Sequence, residues 1–256
     1  MQKLRQDQAS GLRRLFVKSE TALLAFASSQ QDAGRHLHHV SDRVQVLRQF
    51  AKRMTDGGGS VAIIDEHPAP GSVARGYGVT LRRDLKQVLR GERTLDDVIQ
   101  IAAPHTNIIL ASRLAGMEFS AADDISLAGN LAVLRHRHDC VMIDCVHRSA
   151  RTLSPLARCA DQVIMIVPAD EELTASYALI KRIQRERDDL AISIVVIRAE
   201  DSMAARTIYT RLQDVTRAHL GLALEYGGGM LMEGESYQPR RTASSRVRNG
   251  HLNGMA

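Results

Sequence analysis

Asp139-Cys140-Val141-Met142-Ile143-Asp144 is the stretch on which the fold turns. Four apolar residues stand between two carboxylates, too few for a helix and too uniformly apolar for a strand with one wet face. They read as a strand buried on both faces that ends in Asp144. Upstream, residues 121–137 carry a single apolar stripe at helical spacing. The same pairing recurs along the chain. Short apolar runs at 22–27, 61–65, 107–111, 162–167 and 192–197 alternate with helical patterns at 40–54, 85–99, 153–160, 171–187 and 204–220. Strand-helix alternation of this kind predicts an α/β fold, a mostly parallel central sheet with helices on both faces. A ligand site in such a sheet lies beyond the carboxyl ends of the strands. Before the first strand, Leu4, Leu12, Leu15 and Phe16 predict a short N-terminal amphipathic helix over 4–18, although Gly11 weakens it by about 1 kcal/mol relative to Ala.

Composition narrows the class. The chain has 256 residues, 44% of them apolar and 25% charged, which suits one large globular domain. The longest apolar runs are far too short to cross a bilayer, and the N-terminus is polar and basic without a signal-type apolar core, so a cytoplasmic location is expected. Cys140, Cys145 and Cys159 have no zinc-type pairing and read as reduced thiols in or near the core. A net charge of +5 is a weak pull toward nucleic acid or anionic lipid, and nothing base-specific accompanies it. Arg240, Arg241, Arg246 and Arg248 lie among Ser, Asn and Gly, so residues 233–256 read as a basic, disordered tail. The expected organisation is therefore a segment 1–20, an α/β domain 21–232, and the tail 233–256. Turn-rich breaks are expected at 56–60, 68–78 and from Gly227 onward.

Several segments, in order, carry a resemblance to a known family. Asp7-Gln8-Ala9-Ser10-Gly11-Leu12-Arg13 is similar to the DQAxxLR element that opens FlhG/FleN-type regulators of flagellar number, members of the MinD/ParA group of P-loop NTPases. Asp84 through Ile99 is similar to that family's DLxxVLRGExxLDDVI segment. Residues 139–144 resemble its Walker B strand, and 160–181 its AADxV to YALIK stretch. The resemblance spans most of residues 7–226 and implies the MinD/ParA fold. It also implies partners: a signal-recognition-particle-type GTPase, FlhF, engaged through Asp7, Gln8, Ala9, Leu12 and Arg13, and a flagellar transcriptional activator. The family's ATP-dependent sandwich arrangement implies a homodimer.

In that register the phosphate loop GKGGVGKT falls on Ser29-Gln30-Gln31-Asp32-Ala33-Gly34-Arg35-His36, where Gly34 alone matches. The family's loop works because glycines let backbone N–H groups reach phosphate, lysines neutralise it and a Thr hydroxyl ligates magnesium. Gln30 stands where the signature lysine would reach across the dimer, Asp32 places a negative charge in the cradle, and Arg35 and His36 replace the lysine and the hydroxyl. His67 replaces the second acid of an acid-x-acid pattern that begins at Asp65. Asp144 is kept, but Cys145-Val146-His147-Arg148 replaces the small residues that follow it. Phosphoryl transfer depends on positioning and electrostatics, so these losses predict a regulator acting by protein contact, with hydrolysis lost and no cofactor required. The remnants are Ser29, Gln30, Gly34, Arg35 and His36 in the loop, and Asp65 and Asp144 at strand ends, where carboxylates also serve to hold turns.

The alternative is an ATP- and magnesium-binding ATPase with an atypical loop that uses Arg35 and Asp144. His36, His38 and His39 invite a metal reading, but no ligand partner stands at a recognisable spacing, so no metal is expected. Ser112, Cys145 and the histidines assemble no nucleophile, base and acid. Residues 233–256 hold too few large apolar side chains for the terminal membrane helix of MinD-type relatives, which argues against membrane targeting.

Overall fold

The computed structural model describes residues 21–29, 42–68, 71–80, 82–114, 117–147 and 152–230. The predicted N-terminal helix, most of the phosphate-loop segment and the tail lie outside these residues. Eight strands form one sheet in the order β3-β4-β2-β5-β1-β6-β7-β8. They are β1 (Ala22–Ser28), β2 (Val61–Asp65), β3 (Gln100–Ala103), β4 (Thr106–Leu110), β5 (Cys140–Asp144), β6 (Gln162–Pro168), β7 (Ala191–Ile197) and β8 (Glu225–Met230). Every neighbouring pair is parallel except β3 with β4.

The strands form where apolar side chains can be buried on both sides of the pleat. Leu23, Ala25, Ala62, Ile64, Val141 and Ile143 point into one core, and Leu24, Phe26, Val61, Ile63, Cys140 and Met142 into the other. The first core is closed by α5 (Ala121–Arg137), α6 (Leu173–Glu186) and α7 (Ser202–Leu220), together with the short α3 (Leu85–Leu89) and α4 (Leu95–Val98). The second is closed by α1 (Asp42–Asp56) and the short α2 (Val73–Gly76). Helix α1 lays Val44, Leu47, Phe50 and Ala51 on the sheet, and Phe50 meets Phe26 edge-on at 5.0 Å between ring centroids. Each such large side chain contributes about 1.5–3 kcal/mol on burial.

The structure departs from the sequence expectation in five places. Residues 85–99 are two helices, not one, because Gly91 takes φ 71° and Asp84 and Thr94 each cap a separate start. Residues 153–160 hold only a 3-10 turn, Ala157–Cys159, with Ala157 N donating to Ser154 Oγ. The glycine-rich run from Glu225 is a strand, not a break. A Cβ at Gly227 would stand 3.0 Å from Val195 Cγ2 and 3.1 Å from the Ile194 carbonyl, so bare backbone lets β8 close on β7, with a register shift there. The edge strand β3 has no buried residue, and its apolar run, Ile101 to Ala103, is too short to mark it as the buried strands are marked. Of the cysteines, Cys140 and Cys145 are buried as expected, whereas Cys159 is exposed on the 3-10 turn.

Among the described residues no helix is long and apolar enough to cross a membrane.

Candidate functional site

The pleat places Asp65 and Asp144 on the same side of the sheet. Each follows two residues of alternating partners, Ile63 and Met142, that face α1, and the two aspartates are paired in register at the ends of neighbouring strands. Both are fully buried. Ser28, at the end of β1, lies on the same face by the same alternation.

Asp65 organises the loop that follows it. One carboxylate oxygen accepts from His67 N at 3.0 Å; the other accepts from Ser72 Oγ at 2.5 Å and Ala74 N at 3.2 Å. Ser72 in turn caps α2. Burial pushes the Asp65 pKa up, against the lowering effect of these bonds and of the Arg43 charge. Asp65 is therefore the hub of a turn, the structural role open to a carboxylate at a strand end.

Asp144 is held by Arg43, a residue that the sequence reading did not single out. Arg43 extends from the first turn of α1 and forms an ion pair through Nη1 with Asp144 Oδ2, while Nη2 donates to the Gly71 carbonyl at 2.5 Å. The pair is fully enclosed, with Arg43 5% and Asp144 0% exposed. A signal was present in the sequence: Arg43, Leu47 and Phe50 share one stripe of α1, and a charge on an apolar stripe needs a buried counter-charge. The other Asp144 oxygen makes no hydrogen bond among the described residues, and His67 Nε2 lies 3.8 Å from it.

The loops after β2 and β5 are also joined directly. Glu66 N donates to the Asp144 carbonyl at 3.3 Å, Val146 N donates to Glu66 Oε2 at 3.1 Å, and His67 Nε2 lies 3.0 Å from the Cys145 carbonyl. His147 turns away to Thr152, its Nδ1 2.9 Å from that carbonyl, and burial lowers its pKa. Burial raises the Cys145 thiol well above its ordinary value and lifts Cys140 to about 12, so neither is a ready thiolate.

On the other side of β1, Asp42 pairs with Arg198 at 2.5 Å, and Arg198 also reaches Asp170 at 2.9 Å. Arg198 follows β7 with φ 57°, a conformation rare for a side chain of this size. Adjacent residues of α1 thus grip opposite halves of the sheet end.

Of the predicted remnants, Ser29 is in place, its Oγ 3.1 Å from Ser176 Oγ at the start of α6. Gln30, Gly34, Arg35 and His36 lie outside the described residues, as do Asp7, Gln8, Ala9, Leu12 and Arg13 and the histidines at 38 and 39. Ser112 belongs to another network, 3.4 Å from the Asp84 carboxylate.

No family model matches the chain. It is 24% identical over 190 residues to the antiactivator FleN of Pseudomonas aeruginosa, an alignment covering 73% of this chain and 68% of that protein. A chain of the MinC:MinD cell division protein complex of Aquifex aeolicus superposes with a TM-score of 0.59 at 12% identity, covering 82% of this chain and 81% of that one. A plasmid partition protein from Borrelia burgdorferi gives 0.57 at 14% identity, covering 83% and 90%. The chain has the fold of these MinD/ParA-like P-loop proteins, and its sequence is similar to that of an antiactivator of the FleN type.

The resemblance implies a magnesium nucleotide, and the residues at the strand ends can be tested for fit. Asp144, which the resemblance puts at the Walker B position, is already spent on a guanidinium, and a second cation beside Arg43 would meet direct repulsion. The buried residues present do not fit a metal at Asp144.

Proposed function

We propose that this protein is a regulator of flagellar biosynthesis that acts through protein contacts and no longer hydrolyses nucleotide. Similarity to an antiactivator supports the regulatory part. The observation that carries the loss of hydrolysis is the buried Arg43–Asp144 pair, which takes the Walker B carboxylate out of use as a magnesium partner. The substitutions at Gln30, Asp32, Arg35 and His36 point the same way. Two partners follow from the resemblance: an FlhF-like GTPase, met through Asp7, Gln8, Ala9, Leu12 and Arg13, and a flagellar transcriptional activator.

The deciding experiment is a steady-state ATPase assay of the full chain beside an Asp144→Asn variant. No turnover above background is expected in either. Magnesium-dependent turnover that disappears in the variant would overturn the proposal and restore the alternative, an ATPase with an atypical loop, which the retention of Asp65 and Asp144 at neighbouring strand ends favours. For the N-terminal element, deletion of residues 1–18 is expected to abolish stimulation of the partner's GTP hydrolysis; unchanged stimulation would remove that assignment.

A further inference from the structure

Two carboxylates side by side at the buried ends of β2 and β5 repel each other unless a cation or a proton stands between them and their surroundings. In this chain the cation is covalently attached. Arg43 touches the Asp144 carboxylate and the Gly71 carbonyl, and its charge also acts on Asp65. Gly71 precedes Ser72, which donates to Asp65 and caps α2. A single guanidinium therefore ties the end of β5, the loop after β2 and the first turn of α1 into one unit.

We propose that Arg43 is a built-in cation that does the work of a bound divalent metal, holding the loops after β2 and β5 in one arrangement whether or not a nucleotide is present. The direct stitches between those loops, from Glu66 to Val146 and from His67 to Cys145, belong to the arrangement it holds. Because the charge is carried on a helix, chelators cannot remove it. Removing it by mutation leaves Asp144, Asp65, the Gly71 carbonyl and the Ser72 hydroxyl, an all-oxygen set of the kind that suits a hard divalent cation. Arg43 truncation is therefore expected to turn an ion pair into a metal site.

The inference shares Asp144 with the loss of hydrolysis proposed above, but its test reads metal binding and stability, so the two fail separately. The probe is Mn2+, followed by electron paramagnetic resonance and by thermal unfolding of the full chain with Mn2+ or with EDTA. The unmodified protein is expected to leave Mn2+ free and to melt at the same temperature in both. Arg43→Ala is expected to melt roughly 10 °C lower in EDTA, to recover most of that loss in Mn2+, and to bind one ion per chain. Arg43→Lys, which keeps a charge, and Arg43→Ala with Asp144→Asn are expected to bind none. Stoichiometric Mn2+ on the unmodified protein that Asp144→Asn abolishes would overturn the proposal. So would an Arg43→Ala protein that folds and binds no ion, or one that stays unfolded in Mn2+.

Discussion

Helix α1 starts with two opposite charges, and the halves of the sheet they reach differ in kind. Arg43 enters a closed space and meets a carboxylate that solvent does not touch. Asp42, one residue earlier, meets Arg198 where both are 24% exposed, and Arg198 shares itself with an Asp170 that is 36% exposed. Distances alone would rank the two arms as similar. Burial separates them, because a charge left behind in the interior cannot be rehydrated, whereas a charge at the rim exchanges its partner for water at little cost. The same strand-end geometry thus supports a structural centre on the β2-β5 side of β1 and a salt-sensitive brace on the β6-β7 side.

The largest effect should come from breaking the closed arm. Arg43→Met is expected to lower stability by about 3–5 kcal/mol, read from urea unfolding, because it strands the Asp144 charge. A loss no larger than that of an exposed substitution would erase the distinction between the arms. Asp144→Asn is milder, about 2 kcal/mol, since the amide oxygen still accepts from Arg43 but offers no compensating charge.

The Asp65 titration sharpens the comparison further. Burial raises its folded pKa above the unfolded value. Between those two values the folded protein keeps a proton that the unfolded chain has released. Stability from this group is thus fully present below the ordinary aspartate range and is lost as pH rises through the raised pKa, with a slope of at most about 1.4 kcal/mol per pH unit. Subtracting the pH profile of Asp65→Asn from that of the unmodified protein should isolate this fall. A difference that instead grows with pH would show that Asp65 is stabilised as a carboxylate. The smallest change is expected at the rim: Arg198→Ala should cost less than about 1 kcal/mol, an effect that shrinks further as salt is raised. A salt-independent loss there would place Arg198 with the buried arm.

How much could be read beforehand depended on the kind of signal. The six interior strands are bounded within a residue or so by their apolar runs, since burial on both faces demands a largely apolar sequence. The edge strands β3 and β8 escaped because an edge has only one neighbour to satisfy and tolerates polar residues or glycine. Helices α3 and α4 merged into one pattern because apolar spacing continues through Gly91, and only its positive φ breaks the chain direction. At the site, Asp65 and Asp144 were visible as carboxylates closing apolar runs. Glu66 and His67 were visible only as neighbours, and their hydrogen bonds across to residues 145 and 146 follow from strand order, which local sequence does not specify.

By itself the sequence determined the layered α/β fold, the family resemblance and the two aspartates that close apolar strands, because periodicity and residue identity are local quantities. Only the tertiary structure decided what those aspartates do. Putting β5 between β1 and β2 brings Asp144 under a helix that begins some 100 residues earlier in the chain, as the Arg43–Asp144 bond, 101 residues long in sequence, records. A counter-charge reached across that separation is a property of packing, and it is what makes Asp144 the partner of an arginine in a closed interior.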